Sequence, residues 1–244
     1  MGTVSNPATL SSVRSVFGGS NPPANLGAYY KSGPYVGSGN PAPISTTAAG
    51  LALSQFNGAS SAITPVQHTY TSGSGTETAP AGAVNVIIAV WGPGGGGTNG
   101  FGTGCAATNG AGGGSGGYVQ TSVAISGGQT IAYIVGTVGS VSGAATATAS
   151  TVSSGSLAIT TMTAGGGGNA TSKTASGGGG TASGGTTTNT AGNPGDNPAS
   201  DPYGGAAIVG WNSNSAGKGG NGGASGSTSA GSPGSAGEVI FYYT

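Results

Sequence analysis

The sequence predicts an all-β fold. It is a small β-sandwich or jelly-roll-like framework carrying packed, glycine-rich helices of the polyglycine II type, preceded by an extended N-terminal arm. Three observations point there. No credible long helix is present, while short apolar or alternating runs recur after position 64. Of the 56 glycines, 44 lie between Gly92 and Gly237. Many of these are three apart: Gly94, Gly97 and Gly100; Gly110, Gly113 and Gly116; Gly217, Gly220, Gly223 and Gly226; Gly231, Gly234 and Gly237. An extended helix with three residues per turn has this period, and its backbone groups are free to bond neighbouring chains.

Magnitudes limit what such glycine can do. Ordering a residue costs roughly 1–2 kcal/mol of backbone entropy, with glycine at the upper end. A net hydrogen bond returns about 0.5–1.5 kcal/mol. One isolated glycine strand therefore stays disordered. A bundle in which nearly every amide is paired breaks even, provided a real core anchors it.

Residues 1–62 form the arm. They hold five prolines and three short apolar units. Leu10–Gly19 is expected as a short helix with Ser11 or Ser12 as N-cap and Gly18 as its stop. Asn25–Gly33 and Leu51–Gly58 are each expected to make one or two turns, too short to stand alone. The apolar residues Val13, Val16, Phe17, Leu26, Tyr29, Tyr30, Leu53 and Phe56 are the candidates for docking the arm onto another protein. The rival expectation is that the arm packs over its own domain.

Residues 63–244 form the glycine-rich β domain. Pro65–Thr71 alternates weakly, and Thr76–Gly82 reads as a turn. In Val84–Trp91 both faces are largely apolar, which predicts a central strand buried on both sides, with Trp91 at the root of the first glycine run. Tyr118–Ile125 and Gln129–Val135 read as a hairpin joined by Ser126, Gly127 and Gly128. Ser156–Thr163, Ala206–Gly210 and Glu238–Thr244 complete the strand set. The long threonine-rich, glycine-poor stretch Val141–Thr163 leaves the number of glycine helices open.

Composition excludes several classes. Four basic residues (Arg14, Lys31, Lys173, Lys218) balance four acids (Glu77, Asp196, Asp201, Glu238). Zero net charge without a basic cluster argues against nucleic acid. No 18-residue apolar run exists to insert into a membrane, and MGTVSNPATL lacks the regions of a secretory signal. Cys105 alone cannot form an intrachain disulfide.

Chemical motifs are weak. Gly95–Gly100 spells GxGxxG after a strand, but no helix opens there, and the next acid is Asp196 rather than one about 20 residues on. Gly113–Gly117 spells GxSxG around Ser115 in letters only, and His68 is the sole histidine. No catalytic residue, cofactor or metal ligand is assigned. Asp196 and Asp201 flank a proline-rich turn and are expected to be solvated carboxylates, with a shared Ca²⁺ as the rival. The richest surface candidate is Asn193–Asn214, where Asp196, Asp201, Tyr203, Trp211, Asn212 and Asn214 combine rings with amides and carboxylates. Such sets suit sugar recognition. The competing expectation is that Tyr203 and Trp211 anchor the glycine helices to the sheet.

Two resemblances add to this. SVRSVFGGSNP, NLGAYYKSG and ALSQFNGAS resemble the short N-terminal leader of virion proteins of tailed bacteriophages, over about the first quarter of the chain. Trp91-Gly92, Gly117-Tyr118, Gly128-Gln129-Thr130 and Val135-Gly136 stand in the order found in the glycine-rich domain of phage tail-fibre and adhesin proteins, over about Val66 to Thr244. The resemblance implies a virion protein made in the host cytoplasm, a tail-fibre, tail-tip or head-fibre subunit, with a homotrimer favoured. Its expected partners are other virion proteins, through residues 1–62, and a host surface glycan or envelope protein. Rival expectations are a purely architectural virion component and, more remotely, an ice-binding glycine bundle with flat threonine-rich faces.

Overall fold

The computed structural model describes residues 7–17, 26, 29, 36, 44–47, 51–56, 65–100, 108–143, 145–172, 175–196, 203–224 and 229–244. Twelve short strands are present among them: β1 (Val66–Tyr70), β2 (Ser74–Thr78), β3 (Asn85–Trp91), β4 (Tyr118–Ala124), β5 (Thr130–Ile134), β6 (Ser150–Ser154), β7 (Met162–Ala164), β8 (Ala182–Ser183), β9 (Thr188–Thr190), β10 (Ile208–Val209), β11 (Ser215–Ala216) and β12 (Glu238–Tyr243). They build two five-stranded antiparallel sheets, ordered β1-β12-β3-β4-β9 and β2-β5-β6-β7-β8, and a separate β10-β11 hairpin. β3 faces β6 and β7 across the sandwich, and β4 faces β7 and β8.

β3 is central and apolar on both faces, as its sequence requires. Val86, Ile88 and Val90 enter the core between the sheets, with Val119, Ile131, Val152, Met162, Val239 and Phe241. On the opposite face Ala89 and Trp91 join Tyr118 and Ile240 beneath Ile208, Trp211 and Ala216 of the hairpin region. Trp91 is fully buried, its Nε1–H donating to the Ile208 carbonyl at 2.9 Å.

The glycine runs form the expected bundle. Nine extended segments pack side by side among the described residues: 92–100, 109–117, 136–141, 164–170, 177–181, 191–196, 203–206, 217–224 and 229–237. Their hydrogen bonds repeat every third residue. Gly110, Gly113 and Gly116 donate to Gly223, Gly220 and Gly217; Gly92, Gly95 and Thr98 donate to Gly117, Gly114 and Ala111. The 109–117 helix is enclosed by six neighbours. It donates to 217–224, 191–196 and 164–170, and accepts from 92–100, 177–181 and 203–206. Each neighbour in that ring also bonds the next, as in Gly167 to Pro93, Gly165 to Thr181, Gly192 to Gly180, Asp196 to Tyr203, Gly219 to Gly205 and Gly220 to Gly95. Three donor rows and three acceptor rows thus use the backbone in every direction. Such close approach leaves no room for a side chain: a Cβ on Gly116 would lie 1.9 Å from the Gly92 carbonyl oxygen.

Several local expectations are corrected. β4 and β5 do not form a hairpin; each belongs to a different sheet. The turn at Ser126–Gln129 closes on itself (Gln129 N–H to Ser126 O, 3.1 Å), but Ile125 bonds Val84 while Gly128 bonds Ala79. The chain therefore arches from one sheet to the other beside the parallel arch between β2 and β3. A three-residue glycine loop is compatible with either outcome, and the two partner edges decide between them. Thr76–Thr78 are strand, and the turn begins only after them. Ser156–Thr161 are outside the strands; β6 lies earlier and β7 later, because Ser154 Oγ is engaged with the backbone of Ile159.

In the arm, α1 (Leu10–Phe17) forms as predicted. Its cap is Thr9, not Ser11 or Ser12: Thr9 Oγ1 accepts the Ser12 N–H at 3.1 Å, and Ser12 Oγ accepts the Thr9 N–H at 3.0 Å. This reciprocal pair satisfies two orphan donors at the helix start. A single turn at Leu53–Phe56 follows. Val13, Phe17, Tyr29, Val36, Ile44 and Phe56 bury one another in a small core of arm residues.

Candidate functional site

The bundle has a root and a far end. The chain leaves the sheets along 92–100, 164–170, 191–196 and 217–224, and returns along 109–117, 177–181, 203–206 and 229–237. Gly100, Thr108, Ala170, Ala175, Asp196, Tyr203, Ala224 and Ser229 therefore gather at the end away from the sandwich. Side chains appear where the bundle faces outward: in 217–224 the glycines are interrupted at Lys218, Asn221 and Ala224, three residues apart.

The structure separates the six surface candidates. Asp196 and Tyr203 sit together at the far end, the Asp196 N–H donating to the Tyr203 carbonyl at 2.9 Å. Both are exposed, Tyr203 to 55%. Asp201 lies outside the described residues. Trp211, Asn212 and Asn214 are instead at the root, in the turn between β10 and β11. Trp211 packs against Tyr242 with ring centroids 4.9 Å apart, and its backbone N–H donates to the Tyr118 hydroxyl at 2.9 Å. Asn214 Nδ2 donates to Glu238 Oε2 at 2.6 Å, fastening the turn to β12. Burial moves the Glu238 carboxyl above its usual range, partly offset by that amide. Asn212 and Ser213 both hold positive φ, 53° and 59°, a conformation costly for serine.

Of the arm candidates, Val13, Phe17, Tyr29 and Phe56 are buried within the arm's own core. Val16, Leu26 and Leu53 are partly buried at its edge, and Tyr30 lies outside the described residues.

The two weak motifs are absorbed by the bundle. In Gly95–Gly100 the N–H groups of Gly95, Gly97, Thr98 and Gly100 donate to protein carbonyls, leaving them unavailable to a phosphate. Ser115 is fully buried, and its Oγ accepts the Asn193 N–H at 2.7 Å.

One group of residues was not anticipated. Glu77 on β2 is 3% exposed and accepts from three donors of the opposite sheet: His68 Nδ1 at 2.7 Å, Tyr70 at 2.5 Å and Tyr243 at 3.1 Å. The available signal was His68 and Tyr70 at alternate strand positions, followed closely by an acid. Donation to Glu77, then burial, raises the Tyr70 hydroxyl far above the usual tyrosine range. Burial, then the Glu77 charge, does the same to Tyr243. Three donors around one carboxylate make a clamp between sheets.

A groove of about 210 Å³ opens along β4 at Thr121–Val123, opposite Ala158–Thr160. Its walls carry hydroxyl and aliphatic groups without a titratable side chain. No three His, Cys, Asp or Glu residues gather to hold a metal ion among the described residues, nor is any helix there long and apolar enough to cross a membrane.

No protein-family model matches the chain, and no curated protein matches it in sequence.

Proposed function

We propose that this chain is a structural protein of a bacteriophage particle, a tail-fibre, tail-tip or head-fibre subunit that presents its glycine-rich domain for attachment to the host. The observation that supports this most is the bundle. It is a rod of backbone rooted in a sandwich, and its described segments run outward from the sheets and back again. Such a rod gives a rigid base to far-end residues such as Asp196 and Tyr203 with few side chains spent on a core. The arm, with its own small core, is the part that joins the particle, most simply with three copies together. Particles assembled without this chain should form normally but fail to adsorb. Normal adsorption by such particles would leave only the architectural reading. Removing residues 1–62 should leave a folded domain that no longer enters particles, and normal incorporation of that variant would sink the docking role.

A further inference from the structure

We infer that the outer face of the β1-β12-β3-β4-β9 sheet, at Trp211, carries a binding site for a neutral saccharide. The inference rests on the attachment reading but places a ligand class at the root of the bundle rather than its far end.

The floor of the site is the tilted pair of Trp211 and Tyr242, with 44° between the ring planes. Both rings are partly exposed. Aromatic faces stack on the C–H side of a pyranose, and the polar rim of the ring needs fixed donors and acceptors beside them. Those groups are present. The Tyr118 hydroxyl accepts the Trp211 backbone N–H and donates to Gln120 Oε1 at 2.6 Å, which links the Gln120 amide to the Trp211 backbone through one hydroxyl. Asn212 projects from the adjoining turn and is exposed. Among the described residues no protein group bonds Trp211 Nε1, the Tyr242 hydroxyl, Gln120 Nε2 or the Asn212 amide. All four are uncharged, which favours sugar hydroxyls over phosphate, sulfate or a charged peptide.

The turn itself is built at a cost. Two successive non-glycine residues, Asn212 and Ser213, hold left-handed φ, and Ser213 gains no packing from it, being exposed. Backbone strain of this kind persists where the surroundings over-determine it, as at ligand sites. Here the Gly210 N–H to Asn214 carbonyl bond (2.8 Å) and the Asn214–Glu238 contact hold the turn, and with it Trp211, in place.

The two tryptophans supply the assay. Trp91 is fully buried and Trp211 partly exposed, so a solvent-dependent change in the emission of the full chain reports Trp211. Titration with maltohexaose, chitotetraose and mannotetraose should give a saturable change with at least one of them. Tyr242→Leu and Asn212→Gly, the second of which preserves the turn, should each weaken it by about tenfold. Val209→Ala, an exposed site outside the patch, should leave it unchanged. No saturation with any of the three sugars, or wild-type affinity in both Tyr242→Leu and Asn212→Gly, overturns the inference. Adsorption separates this outcome from the broader reading: particles that need the chain to adsorb although it binds none of the sugars retain attachment and lose the saccharide site.

Discussion

The side-chain oxygen of Asn169 accepts the backbone N–H of Gly96 at 2.8 Å. Around the 92–100 helix, backbone bonds reach five neighbours: 109–117, 229–237, 164–170, the 136–141 stretch and 217–224. The remaining donor row contains Pro93, which has no N–H, and Gly96. Asn169 fills that gap, while its Nδ2 donates to the Ala145 carbonyl at 2.6 Å. One buried amide thus replaces a missing helix. Asn169→Ala strands the Gly96 N–H, whereas the Ala145 carbonyl keeps the Ser140 N–H at 2.9 Å, and should cost about 1–3 kcal/mol, read as a lower urea midpoint at unchanged slope.

The central and outer glycines of the bundle should respond differently. Gly116→Ala forces a methyl against the Gly92 carbonyl, on a helix with no free side, and should prevent recovery of folded protein. At Gly178, exposed on the outer side, a Cβ meets nothing within 4 Å. Gly178→Ala should change stability by less than about 0.5 kcal/mol. Equal losses in thermal melts of the two variants would contradict the packing described.

Glu77 clamps the sheets through a charge that is almost fully buried. Glu77→Gln keeps the shape but replaces one acceptor oxygen by a donor facing donors, and should cost roughly 2–4 kcal/mol. Loss should exceed that of His68→Asn, because the two tyrosine bonds survive there. Melting temperatures of the two variants at neutral pH test the order.

Alkaline pH should loosen the same clamp. Tyr70 and Tyr243 hold their protons more tightly in the folded than in the unfolded chain. Their contribution is complete below the ordinary tyrosine value of about 10 and falls as pH rises above it, since the unfolded state then releases protons first. Stability measured from pH 8 to pH 11.5 should decline beyond pH 10. The decline should be shallower in a Tyr70→Phe, Tyr243→Phe double variant.

Thr9→Ala removes the reciprocal cap of α1 and should destabilise the arm by about 0.5–2 kcal/mol. Proteolysis within residues 1–62 should accelerate while the β domain remains intact.

Much of the fold was legible in local patterns. The triplets at Gly94, Gly110, Gly217 and Gly231 mark rows facing neighbouring helices, although Gly226 lies outside the described residues. β3 was readable because apolar residues occupy both parities of one short run. The arch after Ile125 was not readable, because the same turn serves a hairpin or a change of sheet; the choice rests with Val84 and Ala79, far away in sequence. The Glu77 clamp was missed for a related reason. Its donors come from residues 68, 70 and 243, and only a sheet pairing brings the last beside the first two. The surface candidates are neighbours in sequence, but the extended rise of about 3.1 Å per residue carries Tyr203 and Trp211 to different ends.

β12 lies between β1 and β3, and the 109–117 helix is sealed by segments drawn from 92 through 224. The middle of the sheet cannot close before residues 238–243 are made, nor the axis of the bundle before 217–224. A ribosome-bound chain lacking residues 238–243 presents β1 and β3 as open edges, together with glycine segments whose amides have no carbonyls to meet. Folding is therefore a late event in which distant segments must meet at once, slow for a chain of this size. During that interval the unpaired edges of separate copies are open to one another.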